Sequence, residues 1–170
     1  MNAVTPTDVK QIQVYLALGS NINPVKNLPL ALQRLGEQVD IVAVSSAWQT
    51  PALGFGGSDF LNAVVLINTS LSLTDLKFTV LRPLEAQFGR VRAENKFAPR
   101  TIDIDILLYG DELIEEELWV RPHLAVPLAE LYPTYKRVET KETIKEIAQT
   151  LRDKSTISQR GDVLKVKTPP

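Results

Sequence analysis

The chain has 170 residues, enough for one domain with a full hydrophobic core and too few for two comfortable ones. With 44% hydrophobic residues, 23% charged residues and a net charge of −1, nothing global draws it to nucleic acid or to a membrane surface. It has no cysteine for a disulfide, a thiolate metal site or a thiol nucleophile; no apolar run nears the ~20 residues of a membrane span, and "MNAVTPTDVKQIQ" has no signal-peptide pattern, so a cytoplasmic location is expected.

"QVYLALGSN" (13–21) begins as an apolar strand and stops at Gly19. "NPVKNLPLALQRLGE" (23–37) places Leu28, Leu32 and Leu35 at helical spacing, with Gly36 as a stop signal and Pro29 moving the expected start to about Asn27. "DIVAVSSAWQT" (40–50) alternates as a second strand, "PALGFGGSD" (51–59) is a glycine-rich loop, and "FLNAVVLINTS" (60–70) is a third strand. Ser72, with Asp75 three residues on, caps a helix running towards Phe88 that Pro83 should kink. A second loop, "GRVRAENKFAPR" (89–100), leads into the strand of "TIDIDILLYG".

The order β-α-β-β-α-β predicts an α+β, ferredoxin-like fold: an antiparallel sheet with helices on one face. A short helix is expected in 127–133, a clearer one in 140–153 capped by Thr140, and a last short strand in 162–167. No repeat or linker interrupts the chain, and residues 1–170 are expected to form a single domain.

The candidate chemistry lies in "APRTIDIDILLYG" (98–110). Residues two apart in a strand share a face, so Asp103 and Asp105 emerge on one side and the isoleucines on the other. The carboxylates start roughly 7 Å apart and repel each other unless a positive charge sits between them. The loop before them supplies Arg90, Arg92, Lys96 and Arg100, with Glu94 its only acid. Arginine forks match phosphate oxygens, and carboxylates suit Mg²⁺ bound jointly with substrate phosphates. Together these residue types point to nucleotide chemistry. A sheet that binds RNA through this topology would want a basic, aromatic face; the aspartates and the net charge argue against nucleic acid.

With "YLALGSN" (15–21), "SSAWQTPALG" (45–54), "DFLNAVV" (59–65) and "EAQFGRVR" (85–92) in the same order, the chain resembles the 6-hydroxymethyl-7,8-dihydropterin pyrophosphokinase family of folate synthesis. The resemblance is strongest over 13–133. It implies transfer of diphosphate from ATP to the hydroxymethyl group of a dihydropterin, with release of AMP, by a monomer or simple homodimer. Asp103 and Asp105 match the family's metal aspartates, which hold a pair of Mg²⁺ ions. Arg90 and Arg100 match arginines on the triphosphate, Arg92 a third nearby, Glu85 a helix residue near the nucleotide and Phe97 a loop aromatic that closes over the site. On the acceptor side, Asn62 matches a residue on the pterin edge, Phe60 a ring that stacks on it, and Thr50, Pro51 and Leu53 the pocket lining.

The chain departs from the family after "ILLYG", where "DELIEEELWVRPHLAVPLAELYP" is shorter than the usual segment. Either Pro122-His123 matches the family's Pro-His, placing His123 at an ATP phosphate, or Arg121 matches a following arginine and His123 stands where a stacking phenylalanine belongs. The shortened stretch leaves a diverged paralogue, binding without this turnover or using another acceptor, as the alternative.

Overall fold

The computed structural model describes residues 10–52, 57–89 and 100–170. In chain order these form β1 (Ile12–Ser20), α1 (Pro24–Gly36), β2 (Asp40–Val44), β3 (Ala47–Thr50) and β4 (Phe60–Thr69). A helical stretch follows, from α2 (Leu73–Asp75) through a π-helical segment (Leu76–Leu81) into α3 (Arg82–Gln87). Next come β5 (Asp103–Tyr109), β6 (Glu112–Leu113), a 3₁₀ turn (Glu116–Trp119), α4 (Pro122–Leu131), α5 (Ile144–Asp153) and β7 (Ser158–Arg160).

The strands make one seven-stranded antiparallel sheet in the order β6-β5-β1-β4-β3-β7, with β2 also paired to β4. β1 and β4 lie at its centre, and the α+β, ferredoxin-like arrangement read from the sequence is present. Alternation along β1 explains the two cores. Val14, Leu16 and Leu18 face α1 and the π-helical segment, whereas Tyr15 and Ala17 face α4 and α5. The two crossover helices cover one face as expected, and the later helices cover the other. β5 contains a bulge: Leu16 pairs with Ile106 and Tyr15 with Leu108, leaving Leu107 as the extra residue. Leu107 and Leu108 therefore both enter the α4 side, while Tyr109 turns back to the α1 side.

Local details differ from expectation for identifiable reasons. α1 starts at Pro24, not near Asn27. Pro24 occupies a position whose N–H has no helical partner anyway, and Pro29 removes only the bond to Val25, which is exposed to water. The strand expected over 40–50 is two, because Ser45 leaves the ladder geometry and its hydroxyl accepts the Val64 N–H at 2.9 Å. Pro83 follows a π-helical turn: the Arg82 N–H reaches back to the Lys77 carbonyl, and this wider turn gives the proline ring room. The helix expected within 127–133 begins earlier, at Pro122. α5 is capped by Thr143, not Thr140, in a reciprocal capping box with Glu146. The final strand lies at Ser158–Arg160, and of the stretch 162–167 only Lys167 bridges to Val44. Among the described residues, no helix is long and apolar enough to cross a membrane.

Candidate active site

The sheet register assembles the site at one end of the α4 face. Gly19 on β1 is opposite Asp103 on β5 and opposite Asn62 on β4, and Asn62 is opposite Trp48 on β3. One row across four strands thus reads Asp103, Gly19, Asn62, Trp48. The next row places Asp105 beside Ala17. Gly19 is needed here because a Cβ at that position would lie 3.2 Å from Asn62 Oδ1 and 4.0 Å from the Phe60 ring. Its absent side chain leaves an open floor between the carboxylates and the amide, two strand spacings or about 10 Å apart.

On the carboxylate side, Asp103 is buried and paired with the Arg100 guanidinium. Arg100 is itself pinned by the turn after β1: its N–H donates to Asn21 Oδ1 at 2.7 Å, and its carbonyl accepts the Asn21 N–H at 3.0 Å. The Ser20 hydroxyl donates to the Thr101 carbonyl at 2.6 Å. Asp105 is exposed, with the charges of Asp103, Glu115, Arg100 and Arg82 around it. Desolvation, then the like charges of Asp103 and Glu115, push its carboxyl up to about 6. That repulsion is what a bound cation would relieve, so the pair fits a hard, oxygen-seeking metal. Among the described residues no group of three acid, histidine or cysteine side chains converges, so a cation here needs further oxygens from substrate or water.

Glu85, expected beside the nucleotide, is 2% exposed and lies behind β5. Its carboxylate accepts the Ile104 N–H at 2.8 Å, at a point where no strand among the described residues pairs with that edge of β5, and is 3.3 Å from Arg82. Burial is the main reason its carboxyl rises to about 7, and the neighbouring Asp103 adds to it.

On the acceptor side, the Asn62 amide donates to the Trp48 carbonyl at 3.2 Å and to Thr50 Oγ1 at 3.0 Å. With both N–H groups used, its Oδ1 faces the floor above Gly19 as an oriented acceptor. Phe60 is half-buried opposite Thr50, and Pro51 is exposed where the loop leaves β3. His123 is half-buried in the first turn of α4. Desolvation and then the Arg121 charge lower its imidazole to about 4, with Arg100 adding to the effect, so it is neutral at pH 7. Arg121 engages Glu117 at 3.1 Å.

Thus Asp103, Asp105, Arg100, Asn62, Thr50 and Phe60 come together, while Glu85 supports them from behind. Leu53, Arg90, Arg92 and Phe97 lie outside the described residues. The sequence reading passed over Asn21, Arg82 and Trp48. Each acts through a hydrogen bond or ion pair to a residue distant in sequence or one helical turn away, and only the "GSN" turn carried a local signal.

A family model described as 7,8-dihydro-6-hydroxymethylpterin-pyrophosphokinase (HPPK) matches residues 15–133. The 2-amino-4-hydroxy-6-hydroxymethyldihydropteridine pyrophosphokinase of Synechocystis sp. is 34% identical over 88% of this chain and 82% of its own length. The protein of that name from Haemophilus influenzae is 40% identical over 66% of this chain and 71% of its own. In fold, the chain is similar to the crystal structure of Plasmodium falciparum HPPK-DHPS wild type with pteroate, with a TM-score of 0.65 at 14% identity. That likeness covers 85% of this chain but 43% of the Plasmodium chain, so this chain spans less than half of it. The chain belongs to the HPPK family of ATP-dependent diphosphotransferases.

Proposed function

We propose that this member of the family transfers diphosphate from ATP to the hydroxymethyl group of 6-hydroxymethyl-7,8-dihydropterin in folate biosynthesis, releasing AMP. The observation that carries the reading is the single row Asp103, Gly19, Asn62, which sets a metal-competent carboxylate and an oriented amide acceptor on either side of an open floor. A bicyclic heterocycle held at its edge by Asn62 would extend its hydroxymethyl arm towards the aspartates.

In this reading the hydroxyl oxygen forms a bond to the β-phosphorus and releases its proton to solvent, the bond from that phosphorus to the α,β-bridging oxygen breaks, and AMP leaves with that electron pair. Asp103 and Asp105 would hold Mg²⁺, which neutralises phosphate charge and aligns the phosphate chain when bound. Arg100 already lies against Asp103. Once that carboxylate has another counter-charge, its guanidinium is placed to turn to the phosphates. Asn62 orients the acceptor, and Phe60 offers a ring at the pocket mouth. Catalysis then rests on alignment and charge neutralisation, with no general base assigned.

The alternative of a chain that binds without turning over draws no support from the site, where both aspartates and Arg100 stand together. The test is AMP formation from ATP and Mg²⁺ with and without the dihydropterin, while following the pterin diphosphate directly. Pterin-dependent release of AMP is expected. ATP binding with no transfer to the pterin would overturn the reading.

A further inference from the structure

The segment after residue 133 lies beyond the stretch matched by the family model, yet it grips the strand that builds the acceptor side. β7 pairs antiparallel with β3, placing Arg160 opposite Ala47 and Ser158 opposite Gln49. Arg160 is held by a two-pronged pair with Asp162, both contacts at 2.9 Å. Its remaining nitrogen donates to Gln49 Oε1 at 2.7 Å, and the Gln49 amide donates onward to Asp59 Oδ2 at 2.7 Å. Gln49 immediately precedes Thr50, and Asp59 immediately precedes Phe60. The relay therefore laces together the two ends of the 51–58 loop on the face opposite the pocket. Thr50 and Phe60 face each other across that same neck. From the other side, Arg152 of α5 stacks 5.0 Å over Trp48, whose carbonyl orients Asn62.

We infer that the C-terminal segment is a brace for the acceptor pocket, and that Arg160, acting through Gln49 on Asp59, is a positioning residue that sets affinity for the acceptor. The inference rests on the proposed diphosphotransfer and adds to it a part of the chain that touches no substrate. The arrangement of charge fits such a role. Asp162 fixes one edge of the guanidinium, which holds the Nη1 group towards Gln49, and the neutral Gln49 passes that constraint to an acid at the loop base. A brace acting only on the neck leaves the Asp103 side untouched, so its effect is confined to one substrate.

The test is steady-state kinetics on the full chain carrying Arg160→Ala, Gln49→Ala and both together, with Arg160→Lys as the conservative variant. Equilibrium binding of oxidised 6-hydroxymethylpterin, followed by its own fluorescence, is measured alongside. The KM for the dihydropterin should rise about fivefold in each single variant, the scale of one partly exposed hydrogen bond, with kcat and the KM for ATP unchanged. Pterin affinity should fall in parallel. The double variant should lose no more than either single one, because both break the same relay, and Arg160→Lys should recover part of the loss by keeping a donor to Gln49. Unchanged pterin KM in the variants of an active enzyme would overturn the brace alone. So would a parallel change in kcat and both KM values, which marks general loosening. A wild-type chain that neither transfers diphosphate to the pterin nor binds it would overturn the functional reading, and the brace with it.

Discussion

The Glu85 carboxylate accepts the backbone N–H of Ile104 at 2.8 Å, at the β5 residue between the two aspartates. It thereby fixes the strand that carries them. Burial lifts its folded pKa to about 7 from an ordinary 4.5. A carboxyl shifted upward favours the fold most below pH 4.5, and that contribution is lost as pH rises through 7. Urea unfolding of the metal-free protein is expected to show stability declining across this window. Glu85→Gln, which keeps an acceptor without the charge, should flatten that part of the profile. Glu85→Leu should cost about 1–3 kcal/mol by orphaning the Ile104 N–H. A Gln variant with the full pH slope would remove Glu85 as its source.

Asp103→Ala and Asp105→Ala should each reduce kcat by about a thousandfold or more, because each removes a carboxylate from the proposed cation site. Neither should unfold the chain, since both side chains lie off the apolar core. Circular dichroism together with a rate assay at saturating Mg²⁺ checks both halves of the statement. Full turnover in either variant would remove that residue from the mechanism.

Gly19→Ala places a methyl group 3.2 Å from Asn62 Oδ1. The amide must give way or lose its orientation, so kcat/KM for the acceptor should fall about tenfold, with about 1–3 kcal/mol lost in stability from overpacking. ATP affinity should stay within about twofold, since the arginine side is untouched. A loss equal for both substrates would place Gly19 in general packing instead.

His123 should titrate at about 4 in the folded protein, against an ordinary 6.5. A base shifted downward contributes its stability above pH 6.5, and that contribution is lost as pH falls through 4. The imidazole proton shifts followed by NMR give the midpoint directly. The pH–rate profile should show no limb from this group near 6.5. A midpoint there would mean the ring is solvated and charged in the acid range.

The β-α-β-β-α-β order of elements was legible because hydrophobic alternation in β1, β4 and β5 is strong and the turn signals between elements are clear. Asp103 and Asp105 could be placed on one face from period two alone. What period two could not supply was which residues lie opposite them, since the row Asp103, Gly19, Asn62, Trp48 exists only after four strands pair. Glu85 was legible as a residue near the site but not as a buried support, because an acid on a helix carries no mark of what lies behind it. Pro29 misled for the same reason. A proline announces a missing N–H, but not that the residue whose carbonyl it leaves unpaired is exposed, as Val25 is, or that a wider turn precedes the ring, as at Pro83. Thr143, with its Glu146 partner, completes a capping box that the Thr140 reading stopped short of.

The extra residue at Leu107 works as a phase boundary within β5. Above it, the carboxylates take their orientation from pairing with Leu16–Gly19 and from the Glu85 bond to the Ile104 N–H; below it, the strand pairs with Val14 and Tyr15 on one side and with β6 on the other. A slip of one residue in an unbroken strand would rotate both aspartates to the opposite face. Here a slip arising at the hairpin can be absorbed at the bulge before it reaches them. The stretch after Gly110 can therefore change in length while the acidic half of the site keeps its aim.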